Sequence, residues 1–248
     1  MTGLRTETLS PALQQKISPF FDEILQGSAA QIHSIYLVGA VLTEDYQEQT
    51  SKIDSVIVLQ KMDLAFLDTL APLGRKYRQR GIAAPLIMDP GYLKSSLDVF
   101  PLEFLNFKLA HLAIYGEDLF AGLEISQQEL RIQCERELKG KLIWLHRIYL
   151  SSLGDKKILA ADIVSHFGGY LPIFRGILHL LGQTPPLGLK PVLDQMAALT
   201  GTETKVFEEI YAIKNQLSQP SEEETSRLFA EFYRGTEKLT KVVDGIKL

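Results

Sequence analysis

The chain has 248 residues, of which 46% are hydrophobic and 23% are charged, and its formal net charge is −4. A chain of this length buries one large core or two modest ones. The net charge argues against a general affinity for nucleic acid, although it leaves room for a local basic face. Cys134 is the single cysteine, so an internal disulfide is excluded and a reducing compartment is favoured.

Hydrophobic residues are spread along the chain in short runs. No run approaches the ~18 consecutive apolar residues of a membrane span. The amino-terminal residues are polar and lack the apolar segment of a signal peptide. We therefore expect a cytoplasmic protein with no membrane partner.

The first half of the chain alternates between helical and extended patterns. Ser10 followed by Pro11 is typical of a helix start, and the apolar residues after it repeat at helical spacing. Asp63 predicts the cap of a helix that runs to about residue 80, where Gly81 ends it. Short runs of branched apolar residues predict buried strands. These strands are 34–38, 53–59 and 83–88; a turn is expected at 89–91, and 101–116 predicts a helix leading into a short extended piece.

A change of composition begins near Ser126. Ser126 with Glu129, and later Ser221 with Glu224, match the capping-box pattern of a helix start. Apolar residues then recur only at helical spacing, which predicts a bundle of about five helices whose core is filled by the aromatic residues of this half. The predicted stretches after the first long helix are 158–167, 172–181, 191–199, 203–217 and 222–243. We therefore expect two domains, 1–125 and 126–248.

The segment 35–59 carries the most specific pattern in the chain. Gly39 and Ala40 follow the first predicted strand, and Lys52 and Asp54 lie two residues apart at the start of the second. The segment resembles the motif of the nucleotidyltransferase superfamily, which includes polymerase-beta-like enzymes and aminoglycoside nucleotidyltransferases. That motif is an apolar strand, Gly-Ser, a loop, and Asp-x-Asp in a second strand. Here Ala40 replaces the serine and Lys52 replaces the first aspartate.

The resemblance implies an α+β fold. Its first domain is a mixed sheet with flanking helices, and an all-α helical bundle follows, with a cleft between the two. Gly39, Ala40, Lys52 and Asp54 are the implied nucleotide-binding residues of that cleft. Asp54 is in addition the implied catalytic residue and metal ligand.

The chemistry of the motif explains what its substitutions change. Mg²⁺ bridges the triphosphate in such transfers and requires hard oxygen ligands, which two carboxylates spaced i, i+2 on one face of a strand supply. Lys52 reverses the charge at one of these positions and repels the ion. Gly39 and the small Ala40 still let backbone approach a phosphate. We therefore expect a catalytically degenerate protein that retains nucleotide or phosphate binding.

Two other functions remain open. The first is an active transferase that uses Mg²⁺ and a nucleoside triphosphate to move a nucleoside monophosphate onto a small-molecule, RNA or protein hydroxyl. It would need acids from Glu44, Asp45 or Glu48 in the loop. The second is a non-enzymatic helical module that forms a homodimer through the C-terminal half.

The candidate residues also have structural interpretations. Asp54 lies in a run that we expect to be buried, where it could pair with Lys52 instead of a ligand. Gly39 and Ala40 could serve only to form a tight turn after the strand, with no contact to a ligand. Asp89, at the end of the third strand, is favoured as a turn former over a third acid.

Two further groups carry charge outside the motif. Glu135 and Glu137, in the first long helix, occupy the region from which some family members supply a catalytic base. Pairing with Arg131 or Lys141 at i, i+4 is the favoured interpretation. A basic cluster near the end of the second helix could meet nucleic acid, but helix C-termini attract cations in any case. Its members are Arg75, Lys76, Arg78 and Arg80.

Overall fold

The computed structural model describes residues 3–248, which form two compact units. The first unit contains the described residues up to Leu97 together with Phe107–Glu124. The second contains Asp98–Asn106 together with Ile125–Leu248. The short segment 98–106 thus belongs with the helical unit, whereas the sequence analysis placed it in the first of two contiguous domains.

The first unit is built on a four-stranded mixed sheet. Its strands are β1 (Ile32–Val38), β2 (Asp54–Leu59), β3 (Leu86–Met88) and β4 (His111–Gly116), in the order β3-β2-β1-β4. β1 pairs antiparallel with β2 and β4, and β2 pairs parallel with β3. The mixed sheet and the helical second unit confirm the predicted α+β class.

One face of the sheet packs against two helices. Helix α1 (Pro11–Ser28) begins where predicted, with the Ser10 hydroxyl accepting a hydrogen bond from the backbone N–H of Leu13 at 3.3 Å. Helix α2 (Ala65–Tyr77) is shorter than predicted, because a 3₁₀ turn at Arg78–Arg80 precedes Gly81. This face forms one core; its members include Ile17, Phe20, Phe21, Ile24, Ile35, Leu37, Ile57, Leu59, Phe66 and Leu70.

The opposite face of the sheet is covered by aromatic rings. Tyr36 is fully buried, and its ring stacks on Phe120 with centroids 4.1 Å apart. Phe107 stacks on the other side of Phe120 at 5.4 Å. The Tyr36 hydroxyl donates to the carbonyl of Glu117 at 2.6 Å and accepts from the N–H of Leu119 at 2.8 Å. These contacts hold residues 117–120 against β1.

The segment after β3 differs from the prediction. Asp89-Pro90-Gly91 does not form a simple turn: Asp89 caps a short helix, α3 (Pro90–Ser95), by accepting the N–H of Tyr92 at 2.7 Å. Proline at the first helical position fits this start. Helix α4 (Pro101–Leu109) follows and leads into β4, as the sequence predicted for 101–116.

The second unit contains six helices after residue 125, which correspond to the first long helix and the five stretches predicted after it. They are α5 (Gln127–Ser151), α6 (Lys156–His166), α7 (Tyr170–Leu180), α8 (Leu189–Thr200), α9 (Lys205–Lys214) and α10 (Glu222–Asp244). Ser126 caps α5, and Ser221 with Glu224 forms a complete capping box at α10. Side chains of this unit also bind the start of α4: the Gln133 carbonyl oxygen accepts the N–H of Leu102 at 2.8 Å. This buried hydrogen bond ties 98–106 to the helical unit.

Aromatic side chains fill the core of the helical unit, as predicted. Tyr170, Phe174, Phe207 and Phe232 are buried, and their ring centroids lie 5.0–5.7 Å apart in successive contacts. The Tyr170 hydroxyl shares a 2.9 Å hydrogen bond with Thr236. Burial raises the pKa of Tyr170, so this hydroxyl stays protonated at neutral pH.

Candidate functional site

Strand register brings the four predicted site residues to one edge of the sheet. Val38, the last residue of β1, pairs with Asp54, the first residue of β2. Gly39 and Ala40 follow Val38, and Lys52 precedes Asp54 by two residues, so both pairs leave the sheet at the same edge. All four belong to the first unit.

Gly39 adopts a conformation that favours glycine. Its φ is +76°, in the left-handed region, and it begins a 3₁₀ turn at Gly39–Leu42. Its N–H donates to the carbonyl of Ala110 at 3.1 Å. A Cβ placed on Gly39 would have no atom within 4 Å. The space above this backbone is therefore open, and Ala40 beside it is exposed.

Asp54 is exposed at the start of β2, which corrects the expectation that it is buried. Surrounding protein nevertheless displaces enough water to raise the pKa of its carboxyl above the ordinary value, and the positive charge of Lys52 offsets this only in part. Within residues 3–248, no ion pair of 4.0 Å or less joins Asp54 to Lys52. The two side chains therefore interact across space and do not form the structural pair that the sequence left open as an alternative.

The neighbouring strand supplies no further acid to this face. Leu86 of β3 pairs with Val56, which lies two residues after Asp54 on β2 and so faces the same side. Leu86 is 54% exposed. The Asp89 carboxylate accepts hydrogen bonds from the backbone N–H groups of Tyr92 and Met62, at 2.7 and 3.1 Å. These hydrogen bonds lower the pKa of Asp89, which acts as a helix cap.

The donor set at this edge does not fit a magnesium ion. Mg²⁺ is held in proteins by carboxylates in a near-octahedral oxygen shell. Here Asp54 is one carboxylate beside the cationic Lys52. Across the part of the chain that the structure describes, no three His, Cys, Asp or Glu side chains lie close enough together to hold a metal ion.

The structure adds a histidine that the sequence analysis did not connect with this edge. His111, the first residue of β4, also pairs with Val38, so it lies on the same face as Asp54 two strands away, about 10 Å in strand spacing. Its Nε2 lies 3.0 Å from Asp118 Oδ1, and its Nδ1 lies 2.7 Å from the carbonyl oxygen of Phe107. Only the pairing of β4 with β1 brings His111 here, and no local sequence pattern encodes that pairing.

The surroundings of His111 indicate a structural role. Nδ1 lies beside the carbonyl oxygen of Phe107 and Nε2 beside the carboxylate of Asp118, so both ring nitrogens have partners within the chain. Burial alone would raise the pKa of Asp118, but hydrogen bonds from His111 and from the N–H groups of Ala121 and Phe120 outweigh it and lower that pKa. The pair fastens residues 118–121 to the end of β4.

Several of the remaining charged candidates also have partners. Glu135 accepts from Arg131 at 3.0 Å, which is one of the two helical pairings that the sequence favoured, and also from Lys139. Lys141, the other expected partner, donates to the carbonyl of Gly168 at 2.9 Å. In the basic cluster, Lys76 and the hydroxyl of Tyr77 both bond to Glu23 at 2.5 Å. The cluster is thus used in part to dock α2 on α1.

Comparison with solved structures identifies the fold. The spectinomycin adenyltransferase AAD(9) from Enterococcus faecialis, determined with ATP and spectinomycin, aligns over 91% of this chain and 98% of its own length, with a TM-score of 0.52 and 13% sequence identity. The chain has a nucleotidyltransferase fold. The predicted resemblance is thereby confirmed at the level of fold, over both the sheet and the helices that follow it.

The two comparisons of amino-acid sequence found no match. No protein-family model matches the chain, and no curated protein sequence is significantly similar to it. In residues 3–248, no helix has the length and apolar character needed to cross a membrane.

Proposed function

We propose that this chain is a catalytically degenerate nucleotidyltransferase-fold protein that binds a nucleotide or another phosphate compound at the edge formed by Gly39, Ala40, Lys52 and Asp54. The observation that carries the proposal is the charge balance at this edge. One carboxylate whose pKa is raised stands beside one lysine, where metal-dependent transfer needs at least two carboxylates.

Phosphate binding is supported by the surroundings of Gly39. The open space above its backbone would admit a phosphate group, which any side chain at this position would obstruct. Lys52 is exposed at the same edge and has no carboxylate within ion-pair distance in the described chain. An ammonium of this kind attracts phosphate as a point charge without a metal ion.

The solved neighbour supports the choice of a nucleotide as ligand. Its crystal structure contains ATP. It also contains spectinomycin, and this favours the alternative of an active transferase. An active site here would need acids from the loop between β1 and β2, where Glu44 and Glu48 are exposed.

ATP binding with and without metal separates the two functions. Calorimetric titration with ATP in the presence of EDTA should give weak, salt-sensitive binding, and adding Mg²⁺ should leave the affinity unchanged or lower it. Lys52→Ala should weaken binding by about tenfold, as expected for one charged contact. Lys61→Ala is the matched control, because it removes the same charge just beyond the other end of β2. Binding that requires Mg²⁺, together with AMP transfer, would establish the active transferase instead.

Restoring the motif provides an independent test. The double variant Lys52→Asp, Ala40→Ser places two carboxylates two residues apart, one just before β2 and one at its first residue, and returns the hydroxyl of the family motif. Electron paramagnetic resonance of Mn²⁺ should detect binding to the double variant and none to the unchanged chain. Equal Mn²⁺ binding by both proteins would show that the present residues already form a metal site, and the proposal would fail.

A further inference from the structure

The turn between α5 and α6 holds a leucine under backbone strain. Leu153 has φ +51°, in the left-handed region that residues other than Gly, Asn and Asp rarely adopt. The turn is fixed by hydrogen bonds from the N–H of Leu153 to the carbonyl of Leu150 at 3.3 Å and from the N–H of Asp155 to the carbonyl of Ser152 at 2.8 Å. The Leu153 side chain is 92% exposed. The strain is therefore not offset by burial within the chain.

A second turn at the same end of the helical unit repeats this arrangement. Helices α5 and α10 run antiparallel, since His146 bonds to Tyr233 at 3.2 Å and Tyr149 stacks near Phe229 with centroids 4.8 Å apart. The turn that precedes α10 therefore lies at the end where α5 finishes. In that turn Gln216 has φ +59°, and Leu217 next to it is 72% exposed.

We call this end of the helical unit the turn surface. Its apolar members are Leu150, Leu153, Ile158 and Leu217, which are 74%, 92%, 48% and 72% exposed. Large apolar side chains that reach solvent at the same end of a helical unit are candidates for an interaction surface.

The charges of the turn surface indicate its partner. Lys156 and Lys157 begin α6, and Glu222 and Glu223 begin α10. Among the described residues, none of these four forms an ion pair within 4.0 Å. Asp155 caps α6 and offsets one of the two lysines, so the first turn carries a net charge of +1, whereas the glutamates make the second turn anionic. A two-fold axis through the surface sets the lysines of one copy against the glutamates of the other.

We propose that the turn surface binds a second copy of this chain in a symmetric dimer, with Leu153 packed in the contact. An anionic lipid surface does not fit, because the glutamates of α10 would face it. A purely acidic or purely basic partner would likewise meet repulsion at one of the two turns. The contact is small, so we expect a dissociation constant in the micromolar range, of about 1 to 100 µM.

Leu153→Gly tests the role of the leucine in a way that separates folding from assembly. Glycine relieves the left-handed strain, so the variant should melt about 2 to 4 °C higher at a concentration at which both proteins are monomeric. The same variant should dimerise at least about tenfold more weakly in analytical ultracentrifugation. Gln216→Gly relieves strain without removing an apolar side chain and should dimerise normally. Leu64→Ser, which removes another exposed leucine from the first unit, should also dimerise normally.

Charge reversal tests the symmetry of the contact. Lys156→Glu with Lys157→Glu makes both turns acidic, and Glu222→Lys with Glu223→Lys makes both basic. Each double variant alone should remain monomeric, whereas a mixture of the two should form a heterodimer, with circular dichroism verifying that both are folded. An unchanged chain that stays monomeric at several hundred micromolar, a Leu153→Gly variant that dimerises normally, or a mixture that does not associate would overturn the proposal.

Discussion

Gly39 and Gly81 form a matched pair that tests whether the open space at the sheet edge is a binding site or only a tight turn. Both have φ +76°, and a Cβ on Gly81 would meet nothing closer than Lys16 Nζ at 3.6 Å, an ordinary contact. Alanine at either position therefore adds left-handed strain without a collision. The strain costs about 1 to 2 kcal/mol, reduced somewhat because alanine also restricts the unfolded chain. Each variant should lose about 1 kcal/mol and melt about 2 to 4 °C lower.

The two variants should differ only in ligand binding. Gly39→Ala places a methyl group in the space that we assign to a phosphate, so its ATP affinity should fall at least about tenfold. Gly81→Ala should bind ATP as the unchanged chain does. Thermal melting and calorimetric titration with ATP in EDTA measure the two effects separately. If Gly39→Ala binds ATP as well as Gly81→Ala, Gly39 serves the turn alone and our assignment of the site is wrong.

Three further substitutions have outcomes set by the geometry. Gly116→Ala should cost more than about 3 kcal/mol in chemical denaturation, because its Cβ would lie 1.9 Å from the carbonyl oxygen of His33 and backbone would have to move. Asp118→Asn should cost about 1 kcal/mol at pH 7 by weakening the bond to His111. Because folding lowers the pKa of Asp118 from 3.8, this contribution is present above pH 3.8 and is lost as acid protonates the folded carboxyl below it. The melting temperatures of the two proteins should therefore converge as the pH falls below 3.8. Asp54→Asn should change the free energy of unfolding at pH 7 by no more than about 0.5 kcal/mol, with a neutral or slightly stabilising effect. The reason is that a raised pKa means that the fold disfavours the ionised carboxyl. A loss of stability above about 1 kcal/mol would indicate a structural partner that the geometry lacks.

Local chemistry made several elements predictable from sequence. Ser10 with Pro11 specified the start of α1, and Ser221 with Glu224 specified the start of α10, because a cap is a bond between residues two or three apart. The branched apolar residues of β1 and β2 identified these strands for a similar reason, since burial on both faces leaves a continuous apolar run. The boundaries of these elements differ from prediction by only one or two residues.

Long-range contacts were not predictable in this way. The segment 98–106 joins the helical unit because Gln133 binds the N–H of Leu102 and because Arg175 donates to Asn106 at 3.1 Å. The partners in these bonds are separated by 31 and 69 residues, and no periodicity of the chain reports them. The same limit applies to His111, which only the pairing of β4 with β1 brings to the edge of the sheet.

The predicted site depends both on local sequence spacing and on long-range contacts. The spacing of Lys52 and Asp54 is local, so the sequence could predict that both belong to one edge and that the charge of one position is reversed. The exposure of Asp54 is not local, because it depends on where β2 begins relative to Val38 and on how closely the surrounding protein approaches the carboxylate. In the described chain, Asp54 is exposed and forms no ion pair with Lys52. A buried ion pair of the two side chains would have neutralised both charges and left neither for a ligand. This difference makes the cation of Lys52 available to a phosphate, and it is the physical reason for expecting binding at this edge without a metal ion.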